Sequence, residues 1–125
     1  MSAIGTATVV LREVVDDVGT IVVTSGPDPG QTFALGDRRS RVGTGTEVEI
    51  QLRDRAVSRL HCELALEGGR VRLRDLGSKN GTWVGGCRVI EVELGLGAEV
   101  VLGATTLTVG VERRSVRRPL WEGGD

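Results

Sequence analysis

Aromatic residues are almost absent from this 125-residue chain, which has one phenylalanine, two tryptophans and no tyrosine. So few rings cannot build the stacking platform on which single-stranded nucleic acid is bound. Two cysteines, Cys62 and Cys87, are too few for a disulfide framework or a thiolate metal site. Cys62 follows His61, the only histidine, and adjacent residues on a strand point to opposite faces, which argues against a shared metal. Both thiols therefore read as core or inert, and neither metal nor cofactor is expected. No stretch approaches the roughly 20 apolar residues that span a bilayer as a helix. The N-terminus, with Arg12, Glu13, Asp16 and Asp17 behind a weak apolar run, does not resemble a secretory signal, so a cytoplasmic location is expected. An excess of one charge is also missing. Sixteen basic against 17 acidic residues give a net charge of −1, so no global field draws the chain to nucleic acid or to an anionic membrane.

Glycine, by contrast, is abundant at 19 residues, and the apolar runs between glycines are short. That pattern predicts many tight turns between many short strands, hence an all-β fold of ten or eleven strands and no helix. The length suits one domain with a sizeable core. Residues 1–19 read as an N-terminal extension with one accessory strand, ending in a turn at Asp16-Asp17-Val18-Gly19. Residues 20–111 read as the domain. Residues 112–125, with Arg113, Arg114, Arg117 and Arg118, read as a solvated tail or linker, with a nucleic-acid arm as the sharper alternative.

Within the domain, Thr20 to Thr24 is β-branched, with Ile21 and Val23 on one face, and the Gly26-Pro27-Asp28-Pro29-Gly30 cluster turns the chain. Phe33 and Leu35 point inward, and 39–43 predicts a third strand. Residues 47–53 alternate, with Val48, Ile50 and Leu52 toward a core and Glu47, Glu49, Gln51 and Arg53 toward water, which predicts a half-buried strand. The Gly68-Gly69 pair predicts a two-residue hairpin in which Glu67 meets Arg70, Leu66 meets Val71, Leu64 meets Leu73 and Glu63 meets Arg74. Strands over 82–84 and 87–90 flank Gly85-Gly86, and a last hairpin joins 100–102 to 105–111.

Two short polar segments carry the chemistry: Ser58-Arg59-Leu60-His61 and, further on, Lys79-Asn80-Gly81-Thr82. A phosphate monoester carries close to two negative charges and several strong acceptor oxygens, so its receptor needs hydroxyl and N–H donors plus a cation. Ser58 offers its hydroxyl and backbone N–H, and Arg59 the charge. Asn80 has an amide that both donates and accepts, suited to a peptide main chain. Gly81 permits the positive φ of an Asn-Gly turn. His61 is expected to buttress the loop through a ring N–H rather than touch ligand. Asn80-Gly81-Thr82 also fits a glycosylation sequon, a reading that loses its basis without a secretory signal.

These segments, with Gly43 before them in order and at the right distance, resemble the forkhead-associated (FHA) domain, whose pattern is Gly-Arg, then Ser-x-x-His, then Asn-Gly. The resemblance spans roughly residues 20–111. It implies a β-sandwich of mostly antiparallel strands with recognition loops at one end, and a module that binds phosphothreonine peptides through Ser58, Arg59 and Asn80, with Lys79 touching residues beside the phosphothreonine. Gly43, His61 and Gly81 would support the site. One position departs: Thr44 stands where the family has its phosphate-gripping arginine. Losing such a bond removes about 1.5–3 kcal/mol, unless Arg41, Arg53 or Arg55 supplies the charge or the Thr44 hydroxyl adds a bond of its own.

The motif variants are most similar to FHA domains at the N-terminus of bacterial sigma-54-dependent transcriptional activators, which implies a sensory or docking piece, with a downstream ATPase as one partner. The alternatives are a degenerate FHA fold making phosphate-independent contacts, and an adaptor in a serine/threonine kinase or secretion pathway. Catalysis is not expected. Ser58 and His61, three apart, do not present hydroxyl to imidazole, and Gly43-Thr44-Gly45-Thr46 lacks the lysine of a P-loop.

Overall fold

A computed structural model describes residues 10–36 and 38–119 of the chain. Among these residues every regular element is a strand: β1 (Leu11–Ser25), β2 (Thr32–Leu35), β3 (Ser40–Gly43), β4 (Ile50–Gln51), β5 (Cys62–Glu67), β6 (Arg70–Asp75), β7 (Thr82–Val84), β8 (Cys87–Val89), β9 (Glu91–Leu94), β10 (Glu99–Leu102) and β11 (Thr105–Pro119). They form two sheets, ordered β2-β1-β11-β10-β7-β8 and β4-β3-β5-β6-β9. The predicted all-β sandwich is therefore the fold.

Alternation builds the core. Ile21, Val23, Leu35, Val100, Leu102, Leu107 and Val109 come from the first sheet, and Val42, Ile50, Leu64, Val71, Leu73 and Leu94 from the second. All of them are buried. Removing each from water contributes about 1.5–3 kcal/mol, the main favourable term in a fold this poor in aromatics.

The hairpin register predicted around Gly68-Gly69 is the one observed, from Glu67 opposite Arg70 to Glu63 opposite Arg74. Glu63, however, forms its ion pair with Arg39, at 3.4 Å. The arginines of β6 turn instead to β9, where Arg70 reaches Glu93 at 3.2 Å and Arg72 reaches Glu91 at 2.9 Å. The last hairpin pairs Leu102 with Thr105 and Glu99 with Thr108.

Four expectations need correction. Residues 47–53 bury Ile50 and Leu52, but only Ile50 and Gln51 are strand, paired parallel to β3, rather than the whole alternating stretch. Glu49 and the Glu47 carbonyl are drawn instead onto Arg41, which holds this stretch as a loop. Asp16-Asp17-Val18-Gly19 is not a turn, since β1 runs through it. Gly19 serves close packing there, because a Cβ would lie 3.1 Å from Leu35 Cβ. Residues 112–119, expected as a tail or linker, are not irregular but continue β11, the sheet neighbour of β1. Finally, Glu91 to Leu94 is an unforeseen strand, β9, reached from β8 with only Ile90 between, so that the chain changes sheets there without a glycine to mark it.

The chain falls into two compact units. Val18–Glu112 is one, and holds the sandwich core and all the candidate site residues. In the other, the described residues 11–17 and 113–119 belong to β1 and β11. The segments 1–9 and 120–125, and the side chains of Arg113, Arg114 and Arg118, lie outside the described residues, so the reading of the N-terminus as lacking a signal and of those arginines as an arm concerns parts not described.

Candidate functional site

Three loops converge where the predicted motifs lie: 44–49 after β3, 52–61 before β5, and 76–81 after β6. Backbone hydrogen bonds join the first two, with Thr44 N donating to Ser58 O and Gly45 N to Arg59 O, both at 3.1 Å. Lys79 N donates to Ser58 Oγ at 3.0 Å, and Asn80 Nδ2 to Ala56 O at 2.9 Å, which ties the third loop to the second. Gly43 makes the approach possible, since a Cβ there would lie 2.0 Å from Arg59 O.

His61, wholly buried, is the pin. Its Nδ1 accepts from Ser58 N at 3.0 Å, which leaves the proton on Nε2 to be donated to Gly81 O at 2.9 Å. One neutral tautomer thus spans the Ser58 and Asn80 loops. The Ser58 backbone N–H, expected to face phosphate, is spent on this bond. Burial holds the imidazole below its ordinary value of 6.5, while the Gly81 carbonyl and the Asp75 and Asp54 carboxylates oppose that shift only in part.

Since His61 takes up its proton more readily in the unfolded chain, stability is complete above pH 6.5 and falls as the pH drops below that value. Chemical denaturation between pH 7 and 5 is expected to show this fall in the parent and not in His61→Gln, the carboxylates titrating lower. Equal slopes in both would rule it out.

Two aspartates that sequence reasoning passed over brace the loops. Asp75 accepts from Gly77 N at 2.9 Å, Ser78 N at 3.0 Å, Ser78 Oγ at 2.5 Å and Thr82 Oγ1 at 2.8 Å. Burial pushes its pKa up, but the Ser78 and Thr82 hydroxyls and the two backbone N–H groups outweigh burial and hold it below the usual 3.8. Asp54 accepts from Ala56 N at 3.0 Å, Ala104 N at 2.8 Å and Thr105 Oγ1 at 2.7 Å, and burial is again outweighed by these donors. An Asp whose side chain accepts from N–H groups two or three residues on is a turn-forming pattern, and that spacing was the available signal. Trp83 Nε1 donates to Asn80 O at 3.1 Å, and Arg88 packs over Gly81, whose φ is +89°.

The remaining candidates divide cleanly. Thr44 turns its hydroxyl toward Val57 O at 3.4 Å, within the protein. Arg41 is held by Glu49 at 3.3 Å and by the Glu47 carbonyl at 2.8 Å, and this pair pulls Glu49 down to about 2. Arg53 is held by Asp28 at 2.8 Å. Among the described residues Arg55, Arg59 and Lys79 have no carboxylate partner, and all three are exposed. Arg59, Thr44 and Leu60 line a groove of about 600 Å³. Among the described residues Ser58 Oγ–H, one Asn80 N–H and Asn80 Oδ1 make no further hydrogen bond, and hydroxyl and amide donors of this kind can bind an oxyanion. Cys62 is buried, its thiol pushed up to about 12 by burial, and Cys87 is exposed on β8.

Residues 22–113 match the family described as Yop-YscD_cpl, the inner membrane component of T3SS, cytoplasmic domain. The chain is 40% identical over 83 residues to the glycogen accumulation regulator GarA of Mycolicibacterium smegmatis, covering 66% of this chain and 52% of GarA. It spans about half the length of that curated relative. A solved structure from a structural and functional analysis of phosphothreonine-dependent FHA domain interactions superposes with a TM-score of 0.69 at 32% identity, covering 74% of this chain and 95% of the other. The FhaA FHA domain, solved in complex with the intracellular domain of Rv3910, superposes with a TM-score of 0.67 at 33% identity, covering 73% and 98%.

Proposed function

This chain belongs to the forkhead-associated domain family and to the family of T3SS inner-membrane-component cytoplasmic domains, and from that premise we propose that it is a phosphothreonine-peptide reader acting as a signalling adaptor. What supports the reading is that the loops bearing Ser58, Arg59, Lys79 and Asn80 are bonded to one another, through Lys79 N to Ser58 Oγ and Asn80 Nδ2 to Ala56 O, and pinned by His61. Ser58 Oγ–H and Arg59 bind phosphate, Asn80 holds the peptide main chain, and Lys79 meets a neighbouring residue of the ligand. The partner is a protein phosphorylated by a serine/threonine kinase, met in the cytoplasm. No helix among the described residues is long and apolar enough to cross a membrane.

An adaptor fits better than the sensory piece of a sigma-54-dependent activator, because GarA, to which the chain is similar, is by name a glycogen accumulation regulator. A role in catalysis has no support in the site. Both ring nitrogens of His61 are committed to backbone groups, so none is left to activate Ser58.

Calorimetric titration with a degenerate phosphothreonine library and its unphosphorylated counterpart tests the reading. Phosphate-dependent binding is expected, weakened in Ser58→Ala by about 1.5–3 kcal/mol, on the order of ten- to hundredfold. Thr44 favours one competing reading, phosphate-independent docking to a partner or to an attached ATPase domain, since its hydroxyl is occupied by Val57 O. Equal binding of both libraries would decide for that alternative.

A further inference from the structure

A phosphate dianion at Ser58 calls for more than one cation, and Thr44 brings none. Its hydroxyl faces Val57 O, and its N–H is bonded to Ser58 O. Three arginines lie near it in sequence, and the structure separates them. Arg41 is neutralised by Glu49 and further anchored on the Glu47 carbonyl. Arg53 is held through both its backbone N–H and its Nε by Asp28, a buried carboxylate. Arg55 alone of the three has no carboxylate partner among the described residues.

Its position is also fixed by the fold. Arg55 occupies the first corner of a turn closed by Val57 N donating to Asp54 O at 3.0 Å, with Asp54 Oδ1 taking Ala56 N at the second corner. The turn cannot drift. Asp54 is anchored on Ala104 and Thr105 of the β10–β11 hairpin, and Ala56 O is held by Asn80, the residue expected to hold the peptide. Arg55 and Thr44 line one depression of about 360 Å³, and Thr44 also borders the groove lined by Arg59. Thr44 therefore borders both depressions, one shared with Arg55, three residues before Ser58, and one shared with Arg59, the residue after it.

We propose that Arg55 is the second phosphate-binding cation of this domain, supplying from the depression it shares with Thr44 the charge that position 44 lacks. The inference rests on the phosphothreonine reading above. It makes binding depend on a pair of cations bracketing Ser58, and makes Thr44 the space through which the Arg55 side chain reaches the phosphate. Because that pair interacts with a dianion at an exposed surface, the affinity falls with added salt.

The test uses a phosphothreonine peptide selected from a degenerate library, titrated calorimetrically into the parent and four variants. Arg55→Ala is expected to weaken binding ten- to hundredfold and to flatten its salt dependence, while Arg53→Ala leaves both near the parent. Thr44→Arg in the Arg55→Ala background is expected to restore binding, since it returns a cation to the vacated place. Arg55 is exposed at a turn corner, so its truncation leaves the fold intact, checked by an unchanged denaturation midpoint. If Ser58→Ala abolishes binding and Arg55→Ala does not weaken it, the assignment of Arg55 is overturned and the phosphothreonine reading stands. If the parent binds phosphorylated and unphosphorylated libraries alike, both fall together.

Discussion

Gly43→Ala is expected to cost more than about 4 kcal/mol, or to leave no cooperative unfolding transition at all. The added methyl would lie 2.0 Å from Arg59 O, 2.6 Å from Arg59 C and 2.8 Å from Ser58 O, all backbone atoms. No rotamer change relieves a clash with backbone. The neighbours are also tied, because Ser58 O and Arg59 O accept from Thr44 N and Gly45 N, and Val42 O accepts from His61 N. Room for the methyl therefore means prising β3 from the 58–61 segment and losing these bonds together. Small domains retain about 5–15 kcal/mol in all. Urea denaturation checks the expectation, and a loss below about 1 kcal/mol would show that the two segments separate more easily than their bonding implies.

Asp75→Ala is expected to cost about 3 kcal/mol, because it strands a cluster of donors at once. Gly77 N, Ser78 N, Ser78 Oγ and Thr82 Oγ1 all rely on this carboxylate. Ser78 Oγ in turn accepts from Gly81 N at 3.0 Å, so the disturbance reaches the Asn-Gly turn and binding should weaken with stability. The carboxylate has a folded-state pKa below 3.8, so its contribution is present above that pH and is lost as the pH falls through the folded value. Acid titration of stability should accordingly be shallower below pH 4 in Asp75→Ala than in the parent. Identical acid limbs would assign the acid sensitivity to other carboxylates.

The architecture was legible wherever a strand carries its own alternation or a turn its own glycines. Leu64, Leu66, Val71 and Leu73 around Gly68-Gly69 fix both the faces and the register of one hairpin without reference to anything distant. The parallel pairing of Ile50 with Val42 could not be read that way, since two residues carry no periodicity and the pairing depends on Leu52 N reaching Gly43 O. The length of β11 was hidden for a related reason. Arginines at 113, 114, 117 and 118 suggest solvent, whereas the strand they continue has as its sheet neighbour β1, far earlier in the chain.

At the site, the motif residues announced themselves by spacing, and their internal commitments did not. That Ser58 N–H and the Thr44 hydroxyl are used inside the protein depends on where His61 Nδ1 and Val57 O come to lie. Asp54 is the sharper case, because two of its three donors, Ala104 N and Thr105 Oγ1, are about fifty residues away.

In the centre of one sheet β1 and β11 lie side by side, with Thr24 beside Thr106 and Thr108, and Gly110 against Thr20. The near end of β11 is moored to the Ser58 loop through Thr105 and Asp54. Glu112, seven residues further along that strand, is therefore roughly 23 Å from it at strand rise, and Val18 closes the opposite end of the same strand pair. Within the Val18–Glu112 unit, the loops that grasp the ligand and the residues at which that unit ends thus stand at opposite ends of one strand pair.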